Sequence, residues 1–488
     1  MPAVSKLGLT TNALVNGLLS GSKWTSPNLT FSFPSSAFQY ASSISEATTF
    51  QSVSVQIAST ARSVLAGYAA VSGLTFTELT TNQGDATLRL GMSKSAEPTA
   101  YAYLPNNASN GSGGDVWFGI AGNKYATPVV GNYAWFTQLH ELGHALGLKH
   151  GQEISGIFPA LPAAYDAMEY SVMTYRSFQG SSLTGYTNEA YGFAQTLMIA
   201  DIAAIQSMYG ANYTTNGSDS VYSFNPATGQ MSINGVAQAM PGANRVFLTI
   251  WDGGGNDTYD LSNYSSNETI NLNAGSTSLV SAAQLARLGG NQYAHGNIYN
   301  ALMFNGDTRS LIENANGGFG NDSITGNQLT NILHGNAGND LEYGLEGDDR
   351  LYGEVGNDSL YGGNGNDQIY GGAGTDTLYG GAGADRFVFL NTSESVASAT
   401  LRDVVADFDT VDLIDLSVID ANLSQGGDQA FTLIGKVNFA VQAAGQVRFV
   451  VSGLDTLIQI ENTGDGIADM EIRLVGYRTA INAQDFIL

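Results

Sequence analysis

Eight consecutive nine-residue units between Gly317 and Val388 constrain this chain more than any other feature. Cut from Gly317, they read GGFGNDSIT, GNQLTNILH, GNAGNDLEY, GLEGDDRLY, GEVGNDSLY, GGNGNDQIY, GGAGTDTLY and GGAGADRFV. Each follows G-G-x-G-x-D-x-U-x, where U is a large apolar residue. Glycines tolerate positive φ, so six residues can close a tight turn whose carbonyls point inward. The remaining three suffice for a short strand whose middle side chain faces a core. The sixth position holds Asp322, Asp340, Asp349, Asp358, Asp367, Asp376 and Asp385, with Asn331 as the one break. The eighth is apolar throughout (Ile324, Leu333, Leu351, Leu360, Ile369, Leu378, Phe387) apart from Glu342. A flexible Gly/Asn linker needs neither strict phase nor an apolar residue held at one position.

Stacked copies place carbonyl oxygens and an aspartate carboxylate from neighbouring turns around a hard cation, an all-oxygen shell that suits Ca2+. In the first unit the expected ligands are Gly318, Gly320 and Asp322, with Glu313 just upstream. In later units they are the first, third, fourth and sixth residues. These are Gly335, Ala337, Gly338 and Asp340, then Gly344, Glu346, Gly347 and Asp349, then Gly353, Val355, Gly356 and Asp358. Gly362, Asn364, Gly365 and Asp367 follow, then Gly371, Ala373, Gly374 and Asp376, and finally Gly380, Ala382, Gly383 and Asp385. The turn WDGGGND repeats the same chemistry upstream and adds Asp252, Gly254, Gly255 and Asp257. Without cations such aspartates repel one another, so folding of this region is expected to depend on calcium.

The ladder also explains the acidity: 43 Asp and Glu against 18 Lys and Arg give a net charge of −25. That balance argues against nucleic acid and against an anionic membrane surface as partners. Cysteine is absent, which removes disulfides and thiolate metal sites. No apolar run is long enough for a membrane span, and the first residues lack the continuous apolar stretch of a secretory signal peptide.

Upstream of about residue 212 the texture differs. NLTFSFP, GLTFTELT, LRLGMS and AYAYLP alternate as strands do. SEATTFQSVSVQIASTARSVLAGYAAVSG and MIADIAAIQSMYG have helical spacing and stop at glycine. The expected organisation is an α+β domain over 1–212, with a mixed sheet and helices, followed by an all-β domain over 213–488. Within the latter, 317–388 forms a parallel β-roll and 389–488 a β-sandwich-like end.

Three of the five histidines fall within LHELGHALGLKH, residues 139–150. His140 and His144 are four apart, so on a helix both imidazoles leave one face, with Glu141 beside them. Gly147 lets the chain leave the helix in a left-handed conformation, which swings His150 back to complete three nitrogen ligands. Three protein ligands on zinc leave a position open, the mark of a catalytic rather than a structural site.

The full H-E-x-x-H-x-x-G-x-x-H pattern is followed by EYSVMTY, with Met173 and Tyr175. Together with the calcium nonamers, it resembles the serralysins, secreted bacterial zinc endopeptidases of the metzincin clan that carry RTX repeats. The likeness also covers LTFSFP, LTFTEL, AYAYLP, DIAAIQSMYGAN, WDGGGNDTYD, IENANGGFGND and the final DFIL. It implies a metzincin fold for the first domain, one catalytic Zn2+ on His140, His144 and His150, and several structural Ca2+ ions. It further implies that Tyr175 is a further, displaceable zinc ligand that helps stabilise the transition state, and that Met173 forms the floor beneath the metal. Glu141 would be the general base towards a zinc-activated water in peptide-bond hydrolysis. Ala100, Tyr101, Ala102 and Tyr103 would lie on the edge strand that aligns an extended substrate. Export by an ABC-transporter (type I) route through the C-terminal DFIL, without membrane insertion, and an extracellular monomer acting on proteins and peptides complete the expectation. Gly151 stands where the family usually has proline, and Arg176 where it commonly has tryptophan. Two other readings share these residues: a calcium-loaded adhesive surface protein with a vestigial protease domain, and a peptidase dedicated to one partner protein.

Overall fold

The computed structural model describes residues 3–108, 110–477 and 481–488. Its N-terminal part is built on four helices: α1 (Ala13–Leu18), α2 (Val55–Val71), α3 (Tyr133–Leu146) and α4 (Ile199–Tyr209). They accompany a six-stranded sheet of β1 (Asn28–Ser32), β2 (Phe50–Gln51), β3 (Thr75–Glu78), β4 (Leu88–Ser93), β5 (Ala100–Ala102) and β6 (Asp115–Phe118). The order is β3-β1-β4-β6-β5, with β2 pairing onto β4. The β1, β3, β4 and β6 ladders are parallel, whereas β5 runs antiparallel to β6 at the outer edge. The mixed sheet and its helices agree with the α+β expectation.

The long helix expected from Ser45 onward is divided. Ser45–Thr49 forms a 3-10 turn and Phe50–Gln51 pairs with the sheet, so α2 begins only at Val55. The local reason is Ser54, whose hydroxyl accepts the Ile57 amide at 3.2 Å and caps the helix. α2 and α3 then bury Ile57, Ala61, Val64, Leu65 and Tyr68 together with Leu139, Leu142 and Leu146. This core does not stop at residue 212, for Phe247, Trp251, Ala286, Leu288 and Tyr299 belong to it as well.

Beyond it, the chain winds into two sheets of eleven and ten strands. Successive nonamers alternate between them, so each strand pairs in parallel with the one two units on: Ile332 with Arg350, and Ser359 with Thr377. The eighth-position side chains are fully buried and form one apolar column. At the fourth position every unit but the second, which has Leu329, carries glycine, and Gly365 shows why: its φ is +142°, and a Cβ there would lie 1.8 Å from the Gly347 carbonyl oxygen. Residues after 388 extend the same two sheets, through a hairpin of Gln446–Ser452 with Asp455–Glu461, and the terminal Phe486–Ile487 pairs with Leu413–Asp415.

Glu342 occupies a place in the apolar column, between Ile324 and Leu360, and neither carboxyl oxygen has a hydrogen-bond partner. Desolvation, reinforced by Asp340 and Asp358, holds this carboxyl well above the usual carboxylate range. Burial of a polar group without a partner is costly, and its column neighbours are aliphatic, Ile324 on one side and Leu360 on the other. Glu342→Leu should therefore stabilise the roll by about 2 kcal/mol, measured as a higher urea midpoint at fixed calcium. An unchanged or lower midpoint would show that the carboxyl has a favourable role.

Candidate metal centre

α3 starts at Asn132, whose side chain accepts the Trp135 amide at 2.9 Å, and ends at Gly147 with φ +117°. The Gly147 amide donates to the Gly143 and His144 carbonyls at 3.1 and 3.0 Å, which turns the chain and returns His150 over the helix. The outcome is a cluster of three imidazoles. His144 Nε2 lies 3.1 Å from His140 Nε2 and 2.9 Å from His150 Nε2.

Each ring is locked from behind. His140 Nδ1 donates to the Val172 carbonyl at 2.7 Å, His144 Nδ1 to the Leu148 carbonyl at 2.8 Å, and His150 Nδ1 to Glu153 Oε1 at 2.7 Å. With the Nδ1 protons directed outward, the three Nε2 lone pairs point at one another, an arrangement that repels unless a cation lies among them. Burial pushes His140 down to about 3 and His144 well below the ordinary range, which keeps both rings neutral and able to ligate. Three imidazoles on a tight triangle, backed by carbonyl and carboxylate acceptors, are a donor set that fits zinc.

Glu141 is buried beside the triad, and its Oε2 has no hydrogen-bond partner. Desolvation pushes its carboxyl up to about 8. The Tyr175 ring packs against His150 with centroids 4.3 Å apart, and burial, then Glu141 and Glu153, push its phenol up to about 12. Met173 is fully buried directly beneath α3, since a Cβ on Gly143 would stand 2.6 Å from its Sδ. A cavity of about 600 Å3 opens beside Tyr175 and is lined by Thr99, Tyr133, Leu183, Tyr186 and Phe193 among others.

Of the four residues expected on the substrate strand, Ala100, Tyr101 and Ala102 form the edge strand β5 and Tyr103 follows it. Tyr101 and Tyr103 point to the same side, where both hydroxyls donate to Glu46 Oε1. Those hydroxyls are engaged in the framework, so what β5 offers to an extended chain is its backbone edge.

Sequence reasoning missed the supports. Glu153 orients His150, and Asp201 holds the methionine turn by accepting the Val172 amide at 2.7 Å and the Ser171 hydroxyl at 2.7 Å. Glu153 stands in a stretch without periodicity. Asp201 carried a signal, an acidic residue in the first turn of a readable helix.

The roll's aspartates form two hydrogen-bonded ladders. On one edge the amides of Asp322, Asp340, Asp358 and Asp376 donate to Oδ1 of Asp340, Asp358, Asp376 and Asp403 at 2.7–2.8 Å. On the other, Asn331, Asp349, Asp367 and Asp385 donate to Asp349, Asp367, Asp385 and Asp412 at 2.7–3.0 Å. The second oxygens of Asp340, Asp349, Asp358, Asp367, Asp376, Asp385 and Asp403 are buried without a partner, as is that of Asp257 upstream. Asn331 differs: its amide donates to the Glu313 carbonyl at 2.8 Å and accepts the Asn327 amide at 2.6 Å, so this rung is neutral and satisfied. Asp403 and Asp412 continue the ladders 27 rather than 18 residues from their donors, still in the nine-residue phase, and were missed because the glycine pattern around them is lost. The loop between Val388 and Val404 takes up one nine-residue unit without adding a rung.

A helix-borne imidazole triad and an aspartate-laddered β-roll in one chain define a class of two-part proteins, a metal centre joined to a parallel roll. The profile described as Peptidase M10 serralysin C terminal matches residues 211–488, more than half of the chain. Metallopeptidase AprA of Pseudomonas marginalis is 34% identical over 63% of this chain and 61% of its own length. Serralysin C of Dickeya chrysanthemi is 35% identical over 61% of this chain and 59% of its own. Serralysin of Proteus mirabilis is 36% identical over 48% and 44%. The chain thus spans less than two thirds of the curated relatives it matches. It belongs to the serralysin family of M10 peptidases.

Proposed function

We propose that this chain is a secreted, calcium-dependent zinc endopeptidase whose first domain, 1–212, is a metzincin and whose second, 213–488, is a calcium-loaded roll. The observation that carries the reading is the triad itself: three Nε2 atoms within 3.1 Å of His144 Nε2 or at it, each ring held by an outward Nδ1 bond, beside a buried carboxylate with a free oxygen. Bound there by His140, His144 and His150, zinc supplies Lewis acidity towards a water and a peptide carbonyl. Glu141 takes the proton of the attacking water and returns it to the departing amine. The Tyr175 phenol, kept protonated by burial, donates to the oxyanion as it develops. The free edge of β5 receives the substrate as an added antiparallel strand.

Calcium is assigned to the ladder, whose paired Oδ1 and orphaned Oδ2 atoms face carbonyl-lined turns. Asp403, Asp412 and Glu268 join the ligands expected from the repeat, and the neutral rung at Asn331 is left without one. The loop from Glu461 to Asp469 is a further member: Glu461, Thr463 and Asp465 alternate before Gly466, Asp469 follows it, and Glu461 Oε2 is buried and unpartnered. The terminal strand Phe486–Ile487 serves type I export. The intact Glu141 disfavours the adhesive reading, since a vestigial domain has no use for a base.

Metal analysis with a casein assay tests the reading. One zinc per chain and casein hydrolysis are expected of the calcium-folded protein, and loss of both of His144→Ala. A wild-type chain that folds with calcium and retains no zinc would end the proposal.

A further inference from the structure

The residues on both sides of Tyr175 are held by a single carboxylate. Asp166 Oδ1 accepts the Thr174 hydroxyl at 2.5 Å, and Asp166 Oδ2 accepts Arg176 Nε at 2.9 Å. The hydroxyl of Thr174 also accepts the Arg176 amide at 3.0 Å, so the two flanks are tied to each other across the tyrosine. The remaining bonds of this segment close the frame: Tyr186 donates its hydroxyl to the Thr174 carbonyl at 2.7 Å, Met168 donates its amide to the Arg176 carbonyl at 3.0 Å, and Arg176 Nη1 donates to the Ser181 carbonyl.

Tyr175 itself makes none of these bonds; its ring leans on His150 and is only part-buried. Its direction is therefore set by its neighbours rather than by a partner of its own. Thr174 is fully buried and Asp166 nearly so, which makes their bond a fixed one. Gly151 contributes from the other side: a Cβ there would approach Asp166 Oδ1 to 3.3 Å and Leu161 Cδ1 to 2.7 Å, so a larger residue after His150 would press on the clamp.

We infer that Asp166 is a positioning residue, a clamp on Thr174 and Arg176 that presents the Tyr175 phenol to the metal centre. The inference rests on the role given to Tyr175 above. A phenol that stabilises charge only in the transition state loses its value when its direction wanders, and misplacement by about 1 Å costs on the order of 100-fold in rate.

The test is a double-mutant cycle on calcium-folded, zinc-loaded protein with a short peptide substrate. Asp166→Asn and, separately, Thr174→Val should each lower kcat by about 10- to 100-fold with KM changed less than about twofold. Neither should add to the loss already caused by Tyr175→Phe, and zinc content should stay at one per chain. A second readout needs no metal. In zinc-free protein carrying 13C-labelled tyrosine rings, the resonance assigned by its disappearance in Tyr175→Phe should be single in wild type and broadened or split in Asp166→Asn. Wild-type kcat in Thr174→Val and Asp166→Asn, losses that multiply with Tyr175→Phe, or an unchanged Tyr175 resonance would each overturn the clamp. Should Asp166→Asn fail to fold, Thr174→Val, which removes only a hydroxyl, decides alone. Full activity in Tyr175→Phe would instead remove the role of the phenol, and the clamp with it.

Discussion

Glu141→Gln is expected to lower kcat on a peptide substrate by about 10²- to 10⁴-fold while zinc stays bound at one per chain. The side chain occupies the same volume but can no longer accept a proton, and the rings of the triad are locked by Val172, Leu148 and Glu153 rather than by Glu141. Binding and metal retention should therefore survive, with the loss confined to the proton-transfer step. Glu141 suits that step because it is buried beside the triad with Oε2 free of any partner and open to a proton. Mass spectrometry under native conditions reads the zinc, and steady-state kinetics reads the rate. A variant within a few-fold of wild type would remove Glu141 from the mechanism.

Chelation of calcium at pH 7 should unfold the roll entirely and abolish hydrolysis with it. Seven ladder carboxylates, those of Asp340, Asp349, Asp358, Asp367, Asp376, Asp385 and Asp403, are buried with one oxygen unpartnered, and an ionised group so placed costs several kcal/mol unless a cation compensates. Several such groups exceed the ~5–15 kcal/mol that holds a typical domain together. Activity follows because Phe247, Trp251, Leu288 and Tyr299 are lost from the first core when the second domain unravels. The pH dependence has a definite sign. In the calcium-free fold, desolvation raises Asp340, Asp349, Asp376 and Asp385 to about 7 and Asp358 and Asp367 to about 6, against 3.8 when exposed. The folded state then binds more protons than the unfolded state, so its stability falls as pH rises from about 4 to about 7. Circular dichroism of calcium-free protein should lose its β signal across that interval, and added calcium should restore it at pH 7. A calcium-free roll that stays folded at pH 7 would show that the ladder needs no cation.

The repeat was legible because its information is local. A nine-residue phase, a glycine where only glycine fits and an apolar eighth position are all properties of short segments, and stacking follows from them. The same holds for the triad: a spacing of four puts His140 and His144 on one helix face, and Gly147 supplies the turn that returns His150. Both were readable before any coordinate. Even the exception was visible in sequence, since Glu342 breaks the apolar register, although its lack of any partner was not.

What the chain's order of residues could not disclose is everything supplied across long separations. Asp403 and Asp412 join their ladders 27 residues on because the loop after Val388 takes up one nine-residue unit without forming a rung. Val172 orients His140 from 32 residues away, and Asp201 holds the segment that carries Val172. Residues beyond 212 complete the core of the first domain. Asp166 meets both flanks of Tyr175 only after a loop has closed on itself. Ligand type and order are fixed by local spacing, because helix and nonamer geometry repeat every few residues. Ring direction, carboxylate desolvation and the union of the two domains are fixed by packing, because hydrogen-bond partners brought together by chain closure leave no periodic trace.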